Sequence, residues 1–187
     1  MFVVSPRHAY FGRPKDGPAG DVETTSPDVV EVVADKGIRG DRFFGVRAHT
    51  EAAVTFLALE AWEAAAAGAD PVLARRNIVV RGLELDPLRG REFAIDTGDG
   101  EVLFRGGRPA HPCSWMDSMA GDGVRKALIG RGGIRTQPLS SGVLRLGQAV
   151  VRCDVELDAV RAADQVRRAQ PLRDSVSYTH LRAPETV

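Results

Sequence analysis

Short runs of β-branched and apolar residues, each broken within a few positions by glycine, proline or aspartate, constrain this chain more than any other feature. Val29-Val30-Glu31-Val32-Val33, Val54-Thr55-Phe56, Asn77-Ile78-Val79-Val80 and Glu101-Val102-Leu103-Phe104 read as strands. Gly142-Val143-Leu144-Arg145-Leu146 and Ala149-Val150-Val151-Arg152, separated by Gly147-Gln148, complete the set. Turn signals fall at Asp16-Gly17-Pro18, Gly98-Asp99-Gly100, Gly106-Gly107 and Gly132-Gly133. Many short strands with frequent turns predict a mostly-β domain, a barrel or sandwich rather than a parallel α/β sheet. Few helices are expected. Leu57 to Ala67 is alanine-rich and stopped by Gly68, and Asp122 to Ile129 forms a short helix ended by Gly130. Leu85 to Gly90 is a turn of helix or a loop, and Leu157 to Ala169 is a peripheral helix before Pro171.

With 187 residues and 43% hydrophobic content, the chain has the length of one domain and the means to bury a core. Lys plus Arg equals Asp plus Glu at 25 each, so no global basic field draws it to nucleic acid. Only Lys15, Lys36 and Lys126 are lysines; the other positive charges are arginines. Cys113 and Cys153 do not form the spaced framework of a small disulfide-rich protein. Met1 to Arg7 lacks the layout of a signal peptide, and no run approaches the ~20 apolar residues of a membrane span. A cytoplasmic location with reduced thiols is the expectation. Residues 176–186 closely resemble the translation of a transposase adapter used in sequencing libraries, with Pro184 where the usual string has His. The expected natural chain therefore stops near Ser175, and Tyr178 and His180 are kept out of any site.

Four segments carry candidate chemistry. Lys36 to Gly45 joins three glycines to Arg39, Asp41 and Arg42, a composition suited to anions; an ordinary turn with Asp41 and Arg42 as a structural pair is the plainer alternative. Arg75-Arg76-Asn77 opens a strand, where it either grips a phosphate or guards an edge. In Arg108-Pro109-Ala110-His111-Pro112-Cys113-Ser114-Trp115 two prolines stiffen the approach to a thiol flanked by Arg108 and His111. Cys113 is then a nucleophile, a soft metal ligand or a buried small hydrophobe. A zinc site is disfavoured because no second Cys or His stands at ligand spacing. The last segment, Gly130-Arg131-Gly132-Gly133, is weak alone. Cys153 reads as packing.

Taken in order, these segments resemble the MOSC domain, named for the C-terminal domain of molybdenum-cofactor sulfurases. The pieces are Ser5-Pro6-Arg7-His8, Gly37-Ile38-Arg39-Gly40-Asp41-Arg42-Phe43-Phe44-Gly45, Arg75-Arg76-Asn77-Ile78-Val79-Val80, Pro112-Cys113, Gly130-Arg131-Gly132-Gly133 and Gly142-Val143-Leu144-Arg145-Leu146-Gly147. Gln148 departs from the acid that commonly follows that last glycine. The resemblance is to stand-alone bacterial members and spans roughly residues 1–152. It implies a mostly-β fold, a closed or partly open β-barrel with a few short peripheral helices. A C-terminal helical extension over 153–175 and the adapter-like tail over 176–187 would follow.

The resemblance also implies binding of a molybdenum cofactor, a molybdopterin. Cys113 would be its metal ligand and the catalytic residue. Arg39, Asp41, Arg42, Arg75, Arg76, Asn77 and Arg131 would form the cofactor-binding set. At family level there is an association with pyridoxal phosphate as well. The expected activity is reduction of small N-hydroxylated compounds with electrons from a partner redox protein, and His8, His111 or Asp117 would supply protons. The alternative is a carrier or sulfur-delivery module for the cofactor that does not turn over.

Overall fold

The computed structural model describes residues 1–166. The fold is mostly β, with nine strands among the described residues and a few short helices. Strands β1 (Val29–Val33), β2 (Gly37–Ile38) and β8 (Gly142–Arg145) form a three-stranded antiparallel sheet in the order β2-β1-β8. The other six are β3 (Val54–Ala58), β4 (Ile78–Val80), β5 (Glu92–Asp96), β6 (Glu101–Pro109), β7 (Ile134–Pro138) and β9 (Val150–Cys153). They form a second sheet in the order β4-β3-β7-β6-β5-β9, curled as a half-barrel. The barrel is thus partly open.

Among the described strands only β3 and β4 pair in parallel, which requires a crossover between them. Helix α1 (Leu59–Ala65) and the 3-10 turn Pro71–Ala74 provide it. The crossover explains why α1 begins two residues after the expected Leu57. Leu57 and Ala58 extend β3, and Phe56↔Ile78, Leu57↔Val79 and Ala58↔Val80 are its pairs with β4. β3 is covered on both faces. Val54, Phe56 and Ala58 face the interior between the sheets, while Leu57 faces Trp62, Met116, Val124 and Leu128 beneath the helices. Phe56, Phe93 and Phe104 anchor the interior with ring centroids 5.2–5.7 Å apart and almost no exposure.

Strands β2, β5 and β7 and helix α2 (Trp115–Ala120) lie outside the strands and helices expected from the sequence. β5 is short, with Phe93, Ala94 and Ile95 between two acids, β7 carries polar residues in alternation, and α2 directly follows the cysteine loop. Helix α3 (Val124–Ala127) lies within the predicted span. The predicted helix over Leu157 to Ala169 is corrected: its described part holds only the 3-10 turn Ala159–Arg161. Asp158 caps that turn, and buried Glu84 accepts the Asp158 N–H at 3.0 Å, which pins the segment as a strap. Residues 167–169, and the adapter-like 176–187, lie outside the described residues. Among the described residues no helix is long and apolar enough to cross a membrane.

Candidate functional site around Cys113

One end of the large sheet gathers the start of β4, the end of β6 and the entry to β7. Ile134 pairs with both Phe56 and Pro109 there. Gly132 and Gly133 make this convergence feasible. A Cβ on Gly133 would fall on the Phe56 carbonyl, and its φ of +92° is one that L side chains rarely adopt. A Cβ on Gly132 would meet the carbonyl of Ala110. The Gly130-Arg131-Gly132-Gly133 segment is therefore a close-packing device. Arg131 donates to the Ala163 carbonyl at 2.9 Å and so holds the C-terminal strap.

Arg76 is the tie at this end. Its guanidinium donates to the carbonyls of Gly132 (2.9 Å), His111 (3.1 Å), Ala74 (3.3 Å) and Ala110 (3.5 Å). All four acceptors are neutral, so Arg76 shapes the loop before Cys113 without an ion pair. Burial pushes its pKa down to about 10 against the pull of Cys113, with Arg135 and Arg42 adding to the depression. Arg75 sits beside it in left-handed backbone (φ 51°) at the end of the 3-10 turn. It donates to the Arg7 carbonyl at 2.7 Å and lies over the Tyr10 ring, 4.9 Å from its centroid. Tyr10 in turn stacks on Trp115 at 5.6 Å.

Arg42 comes from the glycine-rich segment. It covers the Phe43 ring at 4.7 Å and contacts Asp41 at 3.5 Å. Burial again lowers its pKa first, opposed by Asp41 and reinforced by Arg75; the Arg75 pKa is lowered by burial too. The exposed Cys113 thus lies within electrostatic reach of Arg75 and Arg76, and Arg42 within reach of both arginines, with buried Asp41 as a counter-charge. Asp41 is largely spent on structure, accepting the N–H groups of Ser5 (3.3 Å) and Phe43 (3.1 Å). Trp115 Nε1, two residues past the thiol, is buried and has no acceptor among the described residues.

Two further expected residues are not part of this cluster. Arg39 forms a bidentate pair with Glu31 (2.6 and 2.9 Å) on exposed surface. Asn77 is buried and clamps β4 to β3 through Thr55 N and Oγ1, with its amide on the Val3 carbonyl. Asp117 accepts the Arg125 N–H at 2.8 Å beside α3. Cys153 is half-buried against the core, and its thiol donates to the Val155 carbonyl at 3.1 Å.

His8 packs against Phe43 (5.1 Å) and Phe11 (5.7 Å), and Phe43 also contacts His49 (4.4 Å). Partial burial, then Arg42, Arg75 and His49, lower the His8 pKa, which favours the neutral imidazole. An open cleft of about 510 Å³ runs past His8, Phe11, Arg7 and Arg42. Tyr10 and Trp115 were the residues missed. A tyrosine in a polar N-terminal segment gives no sign of its partner, although Trp115 stood beside the thiol in plain view.

No family model matches the chain, and no curated protein sequence matches it. Among solved structures the fold is similar to the YuaD protein from Bacillus subtilis, at 15% identity and a TM-score of 0.56, over 81% of this chain and 97% of that one. It is similar also to a structure described as a hypothetical protein, at 18% identity and a TM-score of 0.50, over 76% and 68% of the two chains. These likenesses support the fold alone.

Proposed function

We propose that the Cys113 face binds a molybdenum cofactor of the pterin type, with Cys113 as a ligand to its metal, and reduces N-hydroxylated compounds. The observation that carries this reading is the imbalance of charge: Arg42, Arg75 and Arg76 are grouped within electrostatic reach of one another, opposed by one structurally committed carboxylate and by the one thiol that Arg75 and Arg76 reach. Three desolvated guanidiniums with so little opposing charge favour an anionic guest. Among the described residues no group of three His, Cys, Asp or Glu could hold a bare metal ion, so a metal here would arrive already chelated by its cofactor.

When bound, the cofactor supplies two-electron redox chemistry at a metal with a position open to an oxygen-bearing substrate. The chain supplies the rest. Arg42 and Arg75 hold the anionic part of the guest, and Arg76 fixes the loop that aims Cys113. Neutral His8, lining the cleft, accepts and returns protons near neutral pH. The overall change, R–NHOH + 2e⁻ + 2H⁺ → R–NH₂ + H₂O, draws its electrons from a separate redox protein. Loaded protein given such a donor should reduce a hydroxylamine or amidoxime, and Cys113→Ser should abolish this. The exposure of Cys113 favours a second reading, a carrier that hands the cofactor on. Loaded protein that transfers its cofactor to an acceptor but shows no reduction would select the carrier.

A further inference from the structure

The large sheet does not close on itself. Its edge strands β4 and β9 are unpaired with each other, and residues 144–151, from the end of β8 into β9, border the gap between them. A cavity of about 550 Å³ occupies this seam, a volume that suits a small molecule. Phe56 and Ile78 wall it on one side, with Phe2 bridged to Ile78, and Ile95, Leu144 and Val151 wall it on the other. Five of these six are buried in the interior core, and half-buried Val151 packs against that core. Exposed Leu146 carries the apolar lining out to the mouth, next to exposed Val150. None of the lining residues belongs to the group around Cys113.

Charge at the mouth is balanced, unlike the charge around Cys113. Arg81 is paired with Glu63 and lies 3.9 Å from Glu60, and Arg145 is paired with Asp99. Among the described residues no Asp or Glu lines the cavity itself. Its other polar side chains are Thr97, whose hydroxyl accepts the Arg145 N–H at 2.9 Å, and exposed Gln148. A charged guest would therefore lose its hydration against apolar walls with no unmatched partner to replace it. An uncharged alkyl chain meets no such penalty and gains from burying its surface.

We propose that the seam between β4 and β9 binds an uncharged, alkyl-rich small molecule of the medium-chain alcohol class, at a site separate from Cys113. The test uses the full chain and the uncharged fluorophore N-phenyl-1-naphthylamine, which should bind saturably and be displaced by 1-decanol. 1-Octanol should compete roughly tenfold more weakly, because each buried methylene is worth about fourfold in affinity. Decanoate at pH 8 should also compete at least about tenfold more weakly than 1-decanol. Val151→Phe fills the cavity from a half-buried position, and Leu146→Glu sets a carboxylate on the exposed mouth. Each should weaken probe binding about tenfold or more while the far-UV spectrum is kept. Val160→Ser, exposed and outside the lining, should leave binding unchanged.

Absence of saturable probe binding, or unaltered binding in both lining variants, would overturn the site. Decanoate competing as well as 1-decanol would overturn the uncharged assignment. Probe binding that weakens as protein concentration rises, with a matching rise in sedimenting mass, would give the mouth to a second copy of the chain and overturn the small-molecule reading.

Discussion

At the scale of single residues, the same side-chain type does opposite work according to its partners. Arg39 and Arg42 lie three residues apart, yet Arg39 is matched to Glu31 in solvent while Arg42 is packed against Phe43 among other cations. No sequence pattern distinguishes them, because the difference lies in what the fold brings opposite each one. Arg76 donates to carbonyls from three separated segments, which a lysine cannot do with one ammonium. Arg76→Lys should therefore lower stability by about 1–3 kcal/mol in urea unfolding. His8 gives a second prediction. Its folded pKa lies below the unfolded value, so the folded state binds fewer protons, and stability should fall as pH drops from about 6.5 through the lowered folded pKa. Proton NMR of the His8 imidazole should show the depressed titration, and Arg42→Gln should move it upward. A His8 titration at or above the free-histidine value would contradict the crowding of cations around it.

At the scale of elements, most of the strands were legible because β-branched runs bounded by turn residues are a local signal. β7 escaped for a physical reason. Its inward positions are Ile134, Thr136 and Pro138, and the fully buried Thr136 hydroxyl is satisfied only by the Val54 carbonyl of a distant strand. The predicted C-terminal helix failed because Asp158 stops the chain in a 3-10 turn, and packing of Ala162 and Val166 replaces a helical face. Gly133 shows how a motif can be visible while its meaning is not: the glycines looked like an anion loop but let β7 approach Phe56. Gly133→Ala should cost at least about 2 kcal/mol, from strained backbone and displaced β3–β7 pairing, measured by chemical denaturation. A neutral result would mean the two strands can separate freely at this point.

At the scale of the whole molecule, two distributions of charge coexist. Exposed pairs such as Arg105–Glu92 and Arg91–Asp154 decorate the sheets and contribute about 0–1 kcal/mol each. The arginines near Cys113 are instead left in excess, an arrangement that favours an anionic guest in the reading proposed above. Raising salt from 0.1 to 1 M shortens the screening length from about 10 Å to about 3 Å. The melting temperature of the cofactor-free protein should then change little, while affinity for an anionic guest falls steeply. Of the residues the family resemblance names, Arg75 and Arg76 lie within electrostatic reach of Cys113, and Arg42 within reach of both arginines. The resemblance could not show the partners of Asn77 and Arg131, since Thr55 and Ala163 lie far away in sequence. The most direct test of the account is the molybdenum content of the protein expressed in a cofactor-competent host, wild type against Cys113→Ser. The account predicts near-stoichiometric metal in the wild type and its loss in the variant; equal metal in both, or none in either, would contradict it.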